Sequence, residues 1–284
     1  MTLVLHTRTE LSAALATAPR PIGLVPTMGW LHDGHRALID QARRENETVV
    51  VTLFVNPRQF NETVDFMRYP RNESRDLDMI QAAGADIAWV PPVDEVYPPG
   101  FDTLVSVGDV ARPLEGSARP GHFDGVATVV AILFSLVGAD RAYFGQKDAQ
   151  QVMVIRQMAR DLAIGTTVVA CSTIREPDGL ALSSRNVHLS PDERAAAPVL
   201  RRSLVAARDA YLSGERSGEA LRDTMRDVLA TEPLADVDYV SVADGVTLAE
   251  LQMVDRLGLA SLAVRIGATR LIDNELLAAP LAGE

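Results

Sequence analysis

The chain has 284 residues, 47% apolar and 23% charged, which excludes a disordered chain and suits one large domain or two ordinary ones. Its 27 basic and 38 acidic residues leave a formal charge of −11. That balance argues against broad binding to nucleic acid or to an anionic membrane, both of which need a basic excess. A lone cysteine, Cys171, rules out a disulfide within the chain and fits a reducing compartment. The first residues lack the basic-then-apolar order of a signal peptide, and the apolar runs fall short of the ~20 residues of a membrane helix, so a soluble, cytoplasmic protein is expected.

In chain order, Ile22 to Pro26 forms a short apolar strand, and Gly34 to Arg44 has apolar residues at helical spacing. Thr48 to Val55 is apolar and β-branched throughout, the pattern of a central parallel strand covered on both faces. A helix from Glu73 to Ala83 ends at Gly84, and Ile87 to Val90 is a further strand. The segment from Pro91 to Pro120 is a Pro- and Gly-rich loop. Val126 to Val137 reads as an apolar helix, Arg141 to Phe144 as a strand, Asp148 to Leu162 as a helix and Thr166 to Cys171 as a strand. This alternation predicts βαβ units and a parallel sheet. After the turn at Pro177-Asp178-Gly179 the character changes. Ser190 caps one long Ala/Arg helix with Pro191 at its first position, a helix spans Gly218 to Ala230, and two extended runs cover residues 237–244 and 261–274. The expected division is an α/β domain over residues 1–173 and a smaller α+β domain over residues 174–284.

Four segments carry residues suited to chemistry. Pro26 to His35 passes from a strand into a helix, where unpaired N–H groups favour phosphate, and His32 and His35 lie three residues apart, able to donate as charge develops on phosphoryl oxygen. Two surface histidines beside a turn is the plainer reading for an isolated pair, but the strand–turn–helix context favours function. No cysteine or third histidine lies nearby in sequence, which argues against zinc. Gly145 to Asp148 is a second strand end leading into a helix, where Lys147 suits phosphate, although in isolation a solvated lysine beside a capping aspartate is the better explanation. Leu182 to Asn186 offers two hydroxyls and a guanidinium at the domain boundary, either for phosphate oxygens or as a polar linker. Asn56 and Gln59, with Gln150 and Gln151, are neutral amides for a small polar pocket, or turn and cap residues. His122 reads as structural when taken alone.

Together the motifs PTMGWLHDGH, FVNPRQF, RPGHFDGV, FGQKDAQQ, REPDGLALSSRN and IGATRLIDN closely resemble the pantoate–β-alanine ligase family, in the family's order and over Pro26 to Asn274. The HxGH element resembles the HIGH signature of the wider nucleotidyltransferase superfamily. The resemblance implies a Rossmann-like parallel sheet of the HIGH type and an ATP-dependent ligase that joins (R)-pantoate to β-alanine through pantoyl adenylate, releasing pyrophosphate and AMP. It assigns ATP to Met28, Gly29, Trp30, Leu31, His32, Asp33, Gly34, His35, Gly145, Gln146, Lys147, Asp148, Ile174, Leu182, Ser183, Ser184 and Arg185. His32, His35, Lys147 and Arg185 are its catalytic set, with the family's proton donor falling on His35. Gln59, Gln151 and Asn56 would hold pantoate, Gln59 would also reach β-alanine, and His122 would line the same pocket. The resemblance also implies Mg2+ and a homodimer, while the net charge of −11 argues against a nucleic-acid partner. Trp30 stands where a small residue is usual, Asp33 where Glu is common and Ala149 where an aromatic is common. An acidic pair near the metal in some relatives appears here as Arg75-Asp76, leaving Asp76 as the candidate metal ligand, with Mg2+ otherwise carried by the ATP phosphates. Two other readings stay open: a nucleotidyltransferase that stops after releasing pyrophosphate, and a nucleotide-sensing or RNA-binding module on the same fold.

Overall fold

A computed structural model of the chain describes residues 1–60 and 63–278, the side chains of residues 63–65 excepted. It divides into two compact units, one of Met1–Gln146 and Gln150–Ser172, the other of Lys147–Ala149 and Thr173–Glu284.

The first unit is a Rossmann-like α/β fold. Its strands are β1 (Leu3–Leu5), β2 (Ile22–Thr27), β3 (Thr48–Leu53), β4 (Ile87–Trp89), β5 (Arg141–Gly145) and β6 (Thr167–Cys171). They form one parallel sheet in the order β1-β4-β3-β2-β5-β6. Every residue of β3 is buried, as its unbroken apolar pattern requires. Helices α1 (Arg8–Leu15), α2 (Asp33–Glu45), α3 (Thr63–Arg68), α4 (Glu73–Ala82), α5 (Val93–Val96), α6 (Glu115–Ala118), α7 (His122–Val137) and α8 (Ala149–Asp161) accompany the sheet. Ile39, Ala42, Val49, Val51, Ile80 and Tyr143 pack into one continuous core. Helix α7 starts four residues earlier than its apolar run suggests, capped by Gly121, and stops at Gly138 in the left-handed conformation. The carboxyl ends of β2 and β5, neighbours at the point where strand order reverses, form the crevice in which open α/β sheets bind ligands.

In the second unit, β7 (Ala235–Asp244), β8 (Gly258–Ile266) and β9 (Thr269–Leu277) form an antiparallel sheet. Helices α9 (Pro191–Ala196), α10 (Val199–Leu212) and α11 (Gly218–Leu229) complete it. Leu204, Leu221, Met225, Leu262 and Val264 fill its separate core. Two expectations need correction here. The single long helix after Ser190 is two, because Pro198 has no N–H to continue the ladder and its ring crowds the preceding turn. The extended run over residues 261–274 is a hairpin that reverses at Gly267, whose φ is +58°. Among the described residues, no helix is long and apolar enough to cross a membrane.

Candidate active site

The turn between β2 and α2 is held in an uncommon shape. Gly29 and Trp30 both have positive φ, +82° and +52°. For a tryptophan this left-handed conformation costs roughly 1–2 kcal/mol, so neighbouring contacts must impose it. Asp76, on the first turn of α4 and 2% exposed, does so: its two oxygens accept from the backbone N–H of Trp30 at 2.7 Å and of Leu31 at 2.8 Å. The Arg75 guanidinium lies 5.0 Å from the Trp30 ring centroid and donates to the Leu31 carbonyl at 3.0 Å. The Trp30 ring and the Arg75 guanidinium therefore pack against each other.

Immediately after this turn, His32 caps α2. Its Nδ1 accepts from Gly34 N–H at 3.1 Å, while His32 N–H donates to His35 Nδ1 at 3.3 Å, a reciprocal capping box built from two imidazoles whose centroids are 4.2 Å apart. A backbone N–H can only donate, so each Nδ1 must be unprotonated and each neutral ring carries its proton on Nε2. Both rings are half-buried at the positive end of a 13-residue helix.

Asn56 and Gln59 sit just beyond β3. Asn56 is 1% exposed: its Oδ1 accepts from Tyr97 Oη at 2.8 Å and Arg58 N–H at 3.2 Å, and its Nδ2 donates to Gln59 Oε1 at 3.0 Å and the Gly125 carbonyl at 3.1 Å. Those four bonds use its whole capacity in this structure, and through one of them Asn56 orients Gln59. Because Gln59 Oε1 faces Asn56, its amide N–H group points the other way, donating to Met28 Sδ at 3.1 Å. The Gln59 carbonyl accepts from His122 Nδ1 at 2.9 Å and Arg119 at 3.3 Å. A Cβ on Gly125 would lie 2.2 Å from the Arg58 carbonyl oxygen, so only glycine lets α7 dock on this turn. The amide of Gln150, considered for the same pocket, is committed instead to the loop, accepting from Glu115 N–H and donating to the Val110 and Pro113 carbonyls. Gln151 is half-buried at the start of α8. A cavity of about 230 Å³ opens beside Met28 and Gly29, lined also by Phe54, Arg71, Asn72 and Asp76.

Gly145 and Gln146 stay with the first unit, and the second contains Lys147, Asp148, Ile174, Leu182, Ser183, Ser184 and Arg185. Lys147 shares a crevice with Ser183, Arg185, Asn186, Arg270 and Asp273. Its ammonium lies 3.8 Å from Asp148, and its carbonyl accepts from Asn274 Nδ2 at 2.9 Å. Ser183 caps a short 3-10 turn by accepting from Arg185 N–H, and the Arg185 side chain is exposed. Ile174 and Leu182 are paired through a 2.9 Å backbone bond across a second hairpin, residues 174–182, which turns at Pro177-Asp178-Gly179. The hairpin is pinned by a two-pronged Arg175–Asp273 pair at 2.6 and 3.0 Å, with the Asp273 carboxylate almost wholly buried. Arg194 holds its turn through Glu176 and Asp178, and with the Asp178 carboxyl hydrogen-bonded to Arg194 its pKa lies below the usual carboxylate value.

Asp76 does not serve as expected for a metal ligand. Both its oxygens hold backbone amides, and among the described residues no three His, Cys, Asp or Glu side chains cluster to hold a metal. With both oxygens committed to peptide N–H groups, Asp76 does not fit a protein-held Mg2+. Sequence reading gave no site role to Arg75, Tyr97, Asp273 or Asn274. Their partners lie between 41 and 127 positions away along the chain, so local spacing carries no trace of them.

Known proteins resemble the chain over almost its whole length. The sequence profile of the pantoate-beta-alanine ligase family matches residues 3–276. A pantothenate synthetase of Roseiflexus sp. (strain RS-1) is 56% identical over 97% of this chain and 99% of its own, and one of Dehalococcoides mccartyi (strain CBDB1) is 50% identical over 91% and 96%. A crystal structure of pantothenate synthetase from Thermus thermophilus superposes with a TM-score of 0.92 at 46% identity, covering 96% of this chain and 99% of that one. A pantoate-beta-alanine ligase from Francisella tularensis, complexed with beta-gamma ATP and β-alanine, gives 0.80 at 32% identity with 98% of each chain covered. With its parallel sheet, its imidazole-capped helix and a match across almost its full length, the chain belongs to the pantoate–β-alanine ligase family.

Proposed function

We propose that the chain condenses (R)-pantoate with β-alanine in two steps on MgATP. A carboxylate resists amines because its leaving group would be oxide. In the first step a pantoate carboxylate oxygen attacks the α-phosphorus, the bond from that phosphorus to the bridging oxygen breaks, and pyrophosphate leaves. In the second, the β-alanine amine attacks the acyl carbon, the acyl C–O bond breaks, AMP leaves with the electron pair, and the amine loses a proton to solvent. The first step is one of positioning and charge stabilisation. The observation that carries the reading is the reciprocal His32–His35 box, because it makes both Nε2 atoms N–H donors set at a helix N-terminus.

In this reading Met28 to His35 holds the nucleotide, with His32 and His35 on its phosphates. Gly145, Gln146 and Asp148 contact the nucleotide, Lys147, Ser183, Ser184 and Arg185 take phosphate oxygens, and Ile174 and Leu182 touch the base side. Gln59 and Gln151 bind pantoate, and Gln59 also reaches β-alanine. Mg2+ arrives as part of the nucleotide, keeping most of its waters. Residues 1–173 act as the nucleotide and pantoate domain and residues 174–284 as the smaller one, in a cytoplasmic homodimer. The test is isotope exchange between pyrophosphate and ATP, followed by AMP formation on adding β-alanine. Exchange that needs pantoate, with AMP appearing only when β-alanine is present, is the expected result. Exchange without pantoate would return the chain to another nucleotidyl transfer.

A further inference from the structure

We propose that Asp76 is a positioning residue, an internal anion seated on the backbone amides of the nucleotide-binding turn to keep His32 and His35 in register, rather than a ligand for the metal. The inference rests on the proposed action of those histidines on ATP. Two successive residues of positive φ, Gly29 and Trp30, aim their following N–H groups into one concavity, the kind of backbone nest that binds anions. Here the nest is filled from within: each Asp76 oxygen takes one amide, at 2.7 and 2.8 Å, and the residue is 2% exposed.

The connection to the imidazoles has no slack. Trp30 N–H, Leu31 N–H and the Leu31 carbonyl are all tied to the Arg75-Asp76 pair. That pair sits in the first turn of α4, fixed by Asn72, which accepts from Arg75 N–H through its side chain and from Asp76 N–H through its carbonyl. The next peptide N–H after Leu31 is that of His32, which already donates to His35 Nδ1. A shift of the turn therefore moves the capping box directly. The large Trp30 makes the clamp more necessary, because a tryptophan does not adopt this conformation unaided. Arg75 reinforces it by lying over the indole ring.

The experiment uses Asp76→Asn in the full-length protein. The amide keeps the carboxylate's shape but places an NH2 against one backbone N–H. The expected result is a fall of about 100-fold in kcat for pantoate-dependent pyrophosphate–ATP exchange, the scale of loss that follows small misplacement of reacting groups. The Mg2+ concentration giving half-maximal rate should change by less than about twofold, and the Trp30 and Leu31 amides should exchange hydrogen faster than in the wild type. Two results would overturn the inference: recovery of the rate at high Mg2+ with a matching rise in the half-saturating concentration, or an unaltered kcat with equally protected amides. If Asp76→Asn does not fold, Arg75→Ala tests the same clamp. It should lower kcat by about tenfold at unchanged Mg2+ dependence, and full activity would refute the clamp. Wild-type protein without pantoate-dependent exchange would sink the functional reading itself, whereas an active wild type beside an unaffected variant would sink only the role given to Asp76.

Discussion

The two units hold their chemical groups by different means. In the first, His32, His35 and Gln59 are fixed by neutral hydrogen bonds from peptide groups and one buried amide. In the second, the hairpin that presents Ser183 and Arg185 is braced by ion pairs, Arg175 with Asp273 and Arg194 with Glu176 and Asp178, while Arg185 itself is exposed. Fixed neutral donors suit a place where charge develops during reaction and reorganisation would be costly. Cations on long stems suit gripping a polyphosphate that must later be released. The contrast predicts that damage to the His32–His35 box acts on turnover with ATP binding intact, whereas damage to the groups of the second unit also weakens binding or stability.

The sharpest way to break this contrast is to truncate one group of each kind. His35→Ala should lower the rate of adenylate formation by about 100- to 1000-fold, as expected for loss of a preorganised donor, with little change in ATP affinity. Normal turnover at saturation with collapsed ATP affinity would refute the role. Lys147→Ala should slow the same step strongly and, unlike the histidine variant, also weaken ATP binding in a salt-dependent manner. An unchanged rate would remove Lys147 from the mechanism.

How much of this was legible in the sequence follows the same division. The sheet was readable because Thr48 to Leu53 is buried on both faces and its composition says so. The His32–His35 turn was readable because strand, turn and helix are contiguous. The sequence suggests one long helix because Pro198 lies inside an otherwise helical pattern, and one extended run because Gly267 lies inside a strand-like pattern. The orienting bonds of Asn56 are not legible because its partners, Tyr97 and Gly125, are 41 and 69 residues away. The grip of Asp76 on the Trp30 and Leu31 amides is not legible because backbone amides leave no mark in a sequence. Residue types announce which chemistry is possible, while the partners that commit each atom come from the tertiary fold.

Smaller effects sharpen the comparison. Asp273→Asn leaves Arg175 without its buried counter-charge, which should cost about 3 kcal/mol of stability. Chemical denaturation would measure it, and a loss under about 1 kcal/mol would show that the pair is not what braces the hairpin. In the first unit, Asn56→Asp replaces the NH2 that faces Gln59 Oε1 with an acceptor, so the Gln59 amide must reverse and present oxygen to the substrate. The expected result is a rise of about tenfold or more in the pantoate KM, the cost of one misdirected hydrogen bond. An unchanged KM would mean that the amide of Gln59 is oriented by something else.

The smallest effect is a pH-dependent one, and it belongs to the ion-paired unit. Asp244 closes β7 with its carboxylate accepting from the Val246 and Thr247 amides, the Thr247 hydroxyl and Arg256. Burial acts to raise its pKa, but Arg256 and the three other donors outweigh burial and hold it down at about 2. An unfolded aspartate titrates near 3.9. The native state therefore binds the proton less readily, so the contribution is complete above about pH 4 and disappears as pH falls through about 2. Its size is about 1–2 kcal/mol, discounted because Arg256 is 59% exposed and screened by solvent. Asp244→Asn should lower the melting temperature by a few degrees at pH 7, and roughly half of that difference should be gone by pH 3. A difference that stays constant across this range would mean that Asp244 acts through shape and hydrogen bonding, and that its charge contributes nothing to holding the end of β7.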